Sequence, residues 1–138
     1  MTRNTQAVRG GLLAAVALLT LGAAPARSAP QEPTPGNWLF LTVTSGDAHS
    51  SSISGTLLRC DPPQGHPHAA EACAELAAAD GDISRIPPKP DVLCAMIYAP
   101  VTASARGQWA GRQVEYTHTF SNFCVLGAET GSVFALSD

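Results

Sequence analysis

"VTASARGQWAGRQVEYTHTFSNFC", residues 101–124, carries the pattern on which the fold turns. It contains two strand-like runs. In the second, Val114, Tyr116, His118 and Phe120 alternate onto one face and more polar residues take the other. Arg106-Gly107 and Ala110-Gly111 each carry a turn signal, so two positions remain open for a hairpin tip. With either tip the two strands are neighbours in sequence joined by a short connection, and such strands pair antiparallel.

Working outward, "NWLFLTVTSG" (37–46) sets Leu39, Leu41 and Val43 against Phe40, Thr42 and Thr44, which predicts a first strand. "SGDAHSSS" reads as a turn, "SISGTLLRC" as a second strand ending at Cys60, and "DPPQGHP" as a rigid loop. "HAAEACAELAAADG" (68–81) predicts the one clear helix. It is rich in Ala, Leu and Glu and stops at a glycine suited to a C-cap, with Cys73 and Leu76 or Ala77 on one face. "DISRI" suggests a further helical turn, and "GSVFAL" a last strand. About five strands and one or two helices, the strands mostly sequence neighbours, make an α+β fold on an antiparallel sheet.

Residues 1–29 have the layout of a secretory signal: Arg3 and Arg9, an apolar run from about Leu12 to Ala24, then small residues. The apolar run is shorter than the ~18 residues a membrane span requires. Residues 30–37 read as a flexible Pro-rich lead and 38–138 as one domain. Without the signal, five basic residues face eleven acidic ones. No cluster of Lys or Arg offers the cationic face that nucleic acid requires, so that class of partner is excluded.

The four cysteines, Cys60, Cys73, Cys94 and Cys124, lie in the exported part and read as two disulfides with three possible connectivities. No pair has the spacing of a zinc knuckle, so no metal is expected there. His66-Pro67-His68 resembles a metal pair, but it reads more simply as a loop entering a helix. Asp80-Gly81-Asp82 resembles the start of a calcium loop and lacks the remaining ligands. With no Gly-x-Ser-x-Gly, no HExxH and little room for a cleft, the chain does not read as an enzyme, and no cofactor is implied. Trp109 and Tyr116 read as core or sheet-surface aromatics.

"PPKPDVLCAMIYAP" (87–100) is the candidate site. Pro87, Pro88, Pro90 and Pro100 stiffen both approaches to an apolar centre. An extended, exposed segment of this kind is what a protease cleft binds as an added strand. Met96 would then fill the primary specificity pocket, which suits the apolar slot of a subtilisin-like or chymotrypsin-like enzyme. Leu93 would meet a second apolar subsite.

Taken in order, "LFLTV", "TLLRC", "GHP", "ACAELAAADGD", "DVLCAMIYAPV", "GQWAGRQVEYTHTFSNFC" and "SVFAL" resemble the Streptomyces subtilisin inhibitor family of secreted serine-protease inhibitors. The resemblance implies an antiparallel sheet with two helices, pairing Cys60–Cys73 and Cys94–Cys124, and dimerisation through the sheet. It implies a reactive bond Met96–Ile97, with Val92, Leu93, Cys94, Ala95 and Tyr98 contacting a subtilisin-type protease. It assigns Asn122 as the brace of the loop. Ala95 stands where many members have proline. A secreted binding module of the same fold, working through His66 and His68 on a non-protease ligand, is the alternative.

Overall fold

Leu39, Leu41 and Val43 turn one face of β1 (Trp38–Gly46) into the floor of the core, and Phe40 between them stays exposed. The computed structural model describes residues 26, 36–46 and 50–137, and everything below belongs to one compact unit within Pro33–Asp138. Apart from Ala26, Gly36 and Asn37, the expected signal and lead lie outside the described residues. Asn37 is fastened at three points. Its N–H donates to Asp61, its carbonyl accepts from Cys60 N–H, and its side chain accepts from Ala110 N–H at 2.8 Å.

β1 pairs antiparallel with β2 (Ser51–Cys60) on one side and β4 (Val101–Trp109) on the other. The short β3 (Pro63–Gln64) and β5 (Arg112–Phe120) form the edges, giving the order β3-β2-β1-β4-β5. Register places Leu41 opposite Ala105 and Val43 opposite Ala103, so the core-facing rows of β1 and β4 coincide. Over that face lie α1 (Ala69–Ala78), contributing Ala72, Cys73 and Leu76, and α2 (Phe123–Thr130), contributing Leu126. The opposite face carries Phe40, Arg106 and Glu115, and none of the helices among the described residues covers it.

The ambiguity over the hairpin tip resolves at Ala110-Gly111, where Trp109 pairs directly with Arg112. Both tip residues have positive φ, 48° and 76°, as a type I′ turn requires. Gly107 is interior to β4 for a different reason: a Cβ there would lie 2.1 Å from the Trp38 carbonyl oxygen. Of the expected hairpin face, Phe120 is buried, Val114 and Tyr116 are partly so, and His118 is exposed against the Phe120 ring.

α1 falls inside the expected span but ends before its glycine. Asp80 takes the left-handed position, and Asp80 N–H and Gly81 N–H return to the carbonyls of Ala77 and Leu76 in a Schellman closure. Cys73 and Leu76 share the buried face, whereas Ala77 points outward. A 3₁₀ turn at Ile83–Arg85 answers the "DISRI" expectation. "GSVFAL" is not a strand. It is a turn followed by irregular chain, with Val133 and Phe134 buried side by side, and the fifth strand is instead β3 inside the loop expected at "DPPQGHP". The second helix, α2, starts within the "SNFC" end of the expected strand region. The cysteines pair Cys60–Cys73 and Cys94–Cys124.

Candidate functional site

Residues 87–100 cross from the 3₁₀ turn to β4 without helix or strand; the four prolines restrict the approaches, and a turn at Pro90-Asp91, with Asp91 at φ 59°, redirects the first of them. The apolar side chains in this segment point into solvent. Met96 has a relative exposure of 104%, Leu93 of 97%, and Val92, Ile97 and Tyr98 are also exposed. Apolar groups placed in water cost free energy unless something later covers them.

The segment is stiff because it is fastened to α2 and the two residues before it at five places. Lys89 N–H donates to the Ala128 carbonyl at 2.8 Å, and Ala99 N–H to the Ser121 carbonyl at 2.8 Å. Between these ties the Cys94–Cys124 bridge holds the two backbones with their Cα atoms 5.7 Å apart. Asn122 supplies the remaining two ties, its Nδ2 donating to the carbonyls of Ile97 at 2.8 Å and Ala95 at 3.3 Å. These carbonyls flank Met96, and Ile97 N–H closes back on the Ala95 carbonyl at 2.8 Å, which leaves Met96 at the apex of a tight bend. A cleft of about 290 Å³, lined by Cys94, Ile97, Ser121, Asn122 and Val125 among others, separates the loop from the body.

Asn122 is oriented by the helix it begins. Its Oδ1 accepts the Val125 N–H at 3.0 Å, the N-cap bond that satisfies one of the first free donors of α2. Every residue expected at the site, from Val92 to Tyr98 together with Asn122 and Cys124, therefore lies in one assembly. The tying carbonyls of Ser121 and Ala128 were not foreseen. They act through the backbone, so their side chains carry no signal of the role.

The other candidates lie elsewhere and are occupied structurally. His66 is buried, with Nε2 donating to the Val133 carbonyl at 3.0 Å and Nδ1 accepting from His68 N–H at 2.9 Å. Burial holds its pKa below the ordinary 6.5, and the nearby His68 adds to that, while the bond to Val133 works the other way. Asp80 bonds Arg112 at 2.7 Å, and Asp82 caps the 3₁₀ turn. Tyr116 titrates above 10.0, first because it is partly buried and then because of Glu129. Among the described residues no cluster of His, Cys, Asp and Glu is placed to hold a metal ion.

The sequence pattern of the subtilisin inhibitor-like family matches residues 35–122. A Streptomyces avermitilis protein described as a candidate serine protease inhibitor is 66% identical over 138 residues, spanning 100% of this chain and 92% of its own length. The subtilisin inhibitor of Streptomyces albogriseolus is 42% identical over 101 residues, covering 70% of each chain. Among solved structures, Streptomyces caespitosus sermetstatin, crystallised in complex with Bacillus licheniformis subtilisin, matches with a TM-score of 0.55 and 34% identity, over 72% of this chain and 99% of sermetstatin. These relatives are inhibitors rather than enzymes, and the family match over residues 35–122 spans β1 to β5 with α1 and the loop between them: the chain belongs to the subtilisin inhibitor-like family.

Proposed function

We propose that the chain is an exported inhibitor of subtilisin-like serine endopeptidases that offers residues 92–98 as a substrate and keeps both halves of the attacked bond. Met96 enters the apolar primary pocket, and the loop backbone pairs with the cleft as an added strand. Val92, Leu93, Cys94, Ala95 and Tyr98 make the flanking contacts. A chymotrypsin-like slot accepts the same side chain, so such enzymes are secondary targets.

The protease serine attacks the Met96 carbonyl, and the Ile97 amine is the leaving group. In a free peptide that amine diffuses away and water completes hydrolysis. Here Cys94–Cys124 ties the acyl side to α2, and Asn122 and the Ala99–Ser121 bond hold the amine side to the same helix. The amine stays at high effective concentration and re-forms the peptide bond. A loop already ordered also loses little entropy on binding, which is why protease–inhibitor pairs of ordinary interface area bind tightly.

The exposure of Met96, at the apex of a segment fastened to one helix, carries this reading. Active-site titration of subtilisin tests it. Stoichiometric loss of protease activity is expected, with slow cleavage between Met96 and Ile97 visible by mass spectrometry. Undiminished protease activity at micromolar excess of the chain would refute the reading. It would leave the binding-module alternative, which the full use of both His66 ring nitrogens does not favour.

Export rests on the signal-like layout of residues 1–29, and among the described residues no helix is long and apolar enough to cross a membrane. Homodimerisation through the sheet has support in its uncovered face, where exposed Phe40 lies opposite the partly buried Leu57, with exposed Ile53 further along β2. A monomeric mass at sedimentation equilibrium would count against it.

A further inference from the structure

We propose that Met96 is an oxidation site through which peroxide switches the inhibitor off. This rests on the inhibitory reading above and adds to it a covalent modification of one atom.

Sulfur is unevenly available in this chain. The sequence has four cysteines and two methionines. All four cysteines are committed to disulfides, so none presents the thiolate that an oxidant attacks first. Of the methionines, Met1 begins the segment that export would remove, and Met96 is fully exposed. A core methionine is shielded by its neighbours. Met96 has no such shield, because the side chain must stand clear of the protein to reach a protease pocket. The most oxidisable sulfur of the exported chain is therefore also its specificity determinant.

The chemistry balances with hydrogen peroxide as the co-reactant. A lone pair on the Met96 sulfur attacks one peroxide oxygen, the O–O bond breaks, an S–O bond forms, and the second oxygen leaves as hydroxide that takes the proton of the transferred oxygen through solvent to become water. Sulfur gives up two electrons and peroxide takes them up. The product is a sulfoxide, a strong hydrogen-bond acceptor at the point of the side chain that an apolar pocket would bury. Burying an acceptor without a donor weakens binding by roughly 10- to 150-fold. The frame of the loop is untouched, because the ties that flank Met96 run through the carbonyls of Ala95 and Ile97 and through Cys94. Oxidation thus removes affinity without unfolding the protein.

The test compares each protein with itself before and after dilute peroxide, with peroxide removed by catalase before subtilisin is added. Peptide mapping should find one added oxygen on Met96, the thermal midpoint should hold, and the inhibition constant should rise by roughly 10- to 150-fold. Met96→Leu, which offers no thioether, should show the same inhibition constant before and after treatment, whatever its starting value. Unchanged inhibition by protein carrying the Met96 sulfoxide would overturn the proposal, and so would an equal peroxide-dependent loss in Met96→Leu. Should the untreated chain fail to inhibit subtilisin, the inhibitory reading falls and the switch falls with it. Should the untreated chain inhibit and the sulfoxide form inhibit equally, only the switch falls.

Discussion

The Oδ1 of Asn122 accepts the Val125 N–H and so caps α2, which fixes where the other end of the carboxamide points. Nδ2 is thereby aimed at the carbonyls on either side of Met96. Cap and brace are one group, and two substitutions separate them. Asn122→Asp retains an acceptor for Val125 N–H and adds a favourable charge at the helix N-terminus. It has no donor for the loop, and its carboxylate faces two carbonyl oxygens. Asn122→Asp should therefore unfold within about 0.5 kcal/mol of the parent yet be cut faster between Met96 and Ile97 by subtilisin. Asn122→Ala loses both functions and should cost about 1 kcal/mol more in stability besides. Thermal unfolding and timed mass spectrometry read the two effects apart. Equal cleavage rates for parent and Asp variant would remove Asn122 from the tether.

Ala110 is an L-residue with a side chain held at φ 48° in the first tip position of the β4–β5 turn, where Asn-Gly is the favoured pair. A left-handed alanine costs about 1 kcal/mol. Ala110→Asn should recover most of that cost, raising the denaturant midpoint without changing the slope, since the Ala110 N–H still reaches Asn37. An unchanged or lower midpoint would show that the turn is not strained. The strands β1 and β5 were legible because alternation reports which face is buried, β2 and β4 as strand-like runs between turn signals, and α1 because its composition favours helix. Which glycine made the turn was not, since Gly107 answers to the Trp38 carbonyl on the neighbouring strand, a contact no local pattern contains. α2 follows β5 almost directly and holds Val125, Gly127 and Thr130, so its one sequence mark is the cap at Asn122. β3 exists only by pairing Pro63 and Gln64 with Cys60 and Arg59. In "GSVFAL", Val133 and Phe134 are buried together, and a short apolar run does not distinguish a buried strand from a packed turn. The exposed loop was legible from its prolines, whereas its backbone ties to Ser121 and Ala128 were not.

At the scale of the whole molecule, the loop is only as firm as α2, and α2 is held at its far end by α1 and the turn before it. Glu75 accepts Ser132 N–H at 2.7 Å, Glu71 accepts the Ser132 hydroxyl at 3.1 Å, and His66 donates to the Val133 carbonyl at 3.0 Å. The two disulfides strengthen the same frame, each contributing roughly 3 to 4 kcal/mol by restricting the unfolded chain. Of the three side chains in the latch, His66 is the one that titrates near neutrality. It is fixed as the neutral tautomer protonated at Nε2, because Nδ1 faces the His68 N–H and a proton there would have no acceptor. The titratable group facing it is His68, whose ring lies edge-on at 6.2 Å and is itself 3.9 Å from the Glu71 carboxylate, while Glu71 and Glu75 bond Ser132 in the same latch. Its folded pKa lies below 6.5, so between the two values the unfolded chain binds more protons than the folded one. The His66 contribution is therefore complete above about pH 6.5 and is lost progressively as pH falls from there toward the depressed folded value. The denaturant midpoint should decline between about pH 7 and pH 5. His66→Gln should start lower at neutral pH by about 1–2 kcal/mol, having exchanged a well-placed bond for a poorer one. Over the same interval it should decline less steeply, because glutamine does not titrate. A Gln variant as steep as the parent would assign the acid sensitivity to other groups and leave His66 as packing alone.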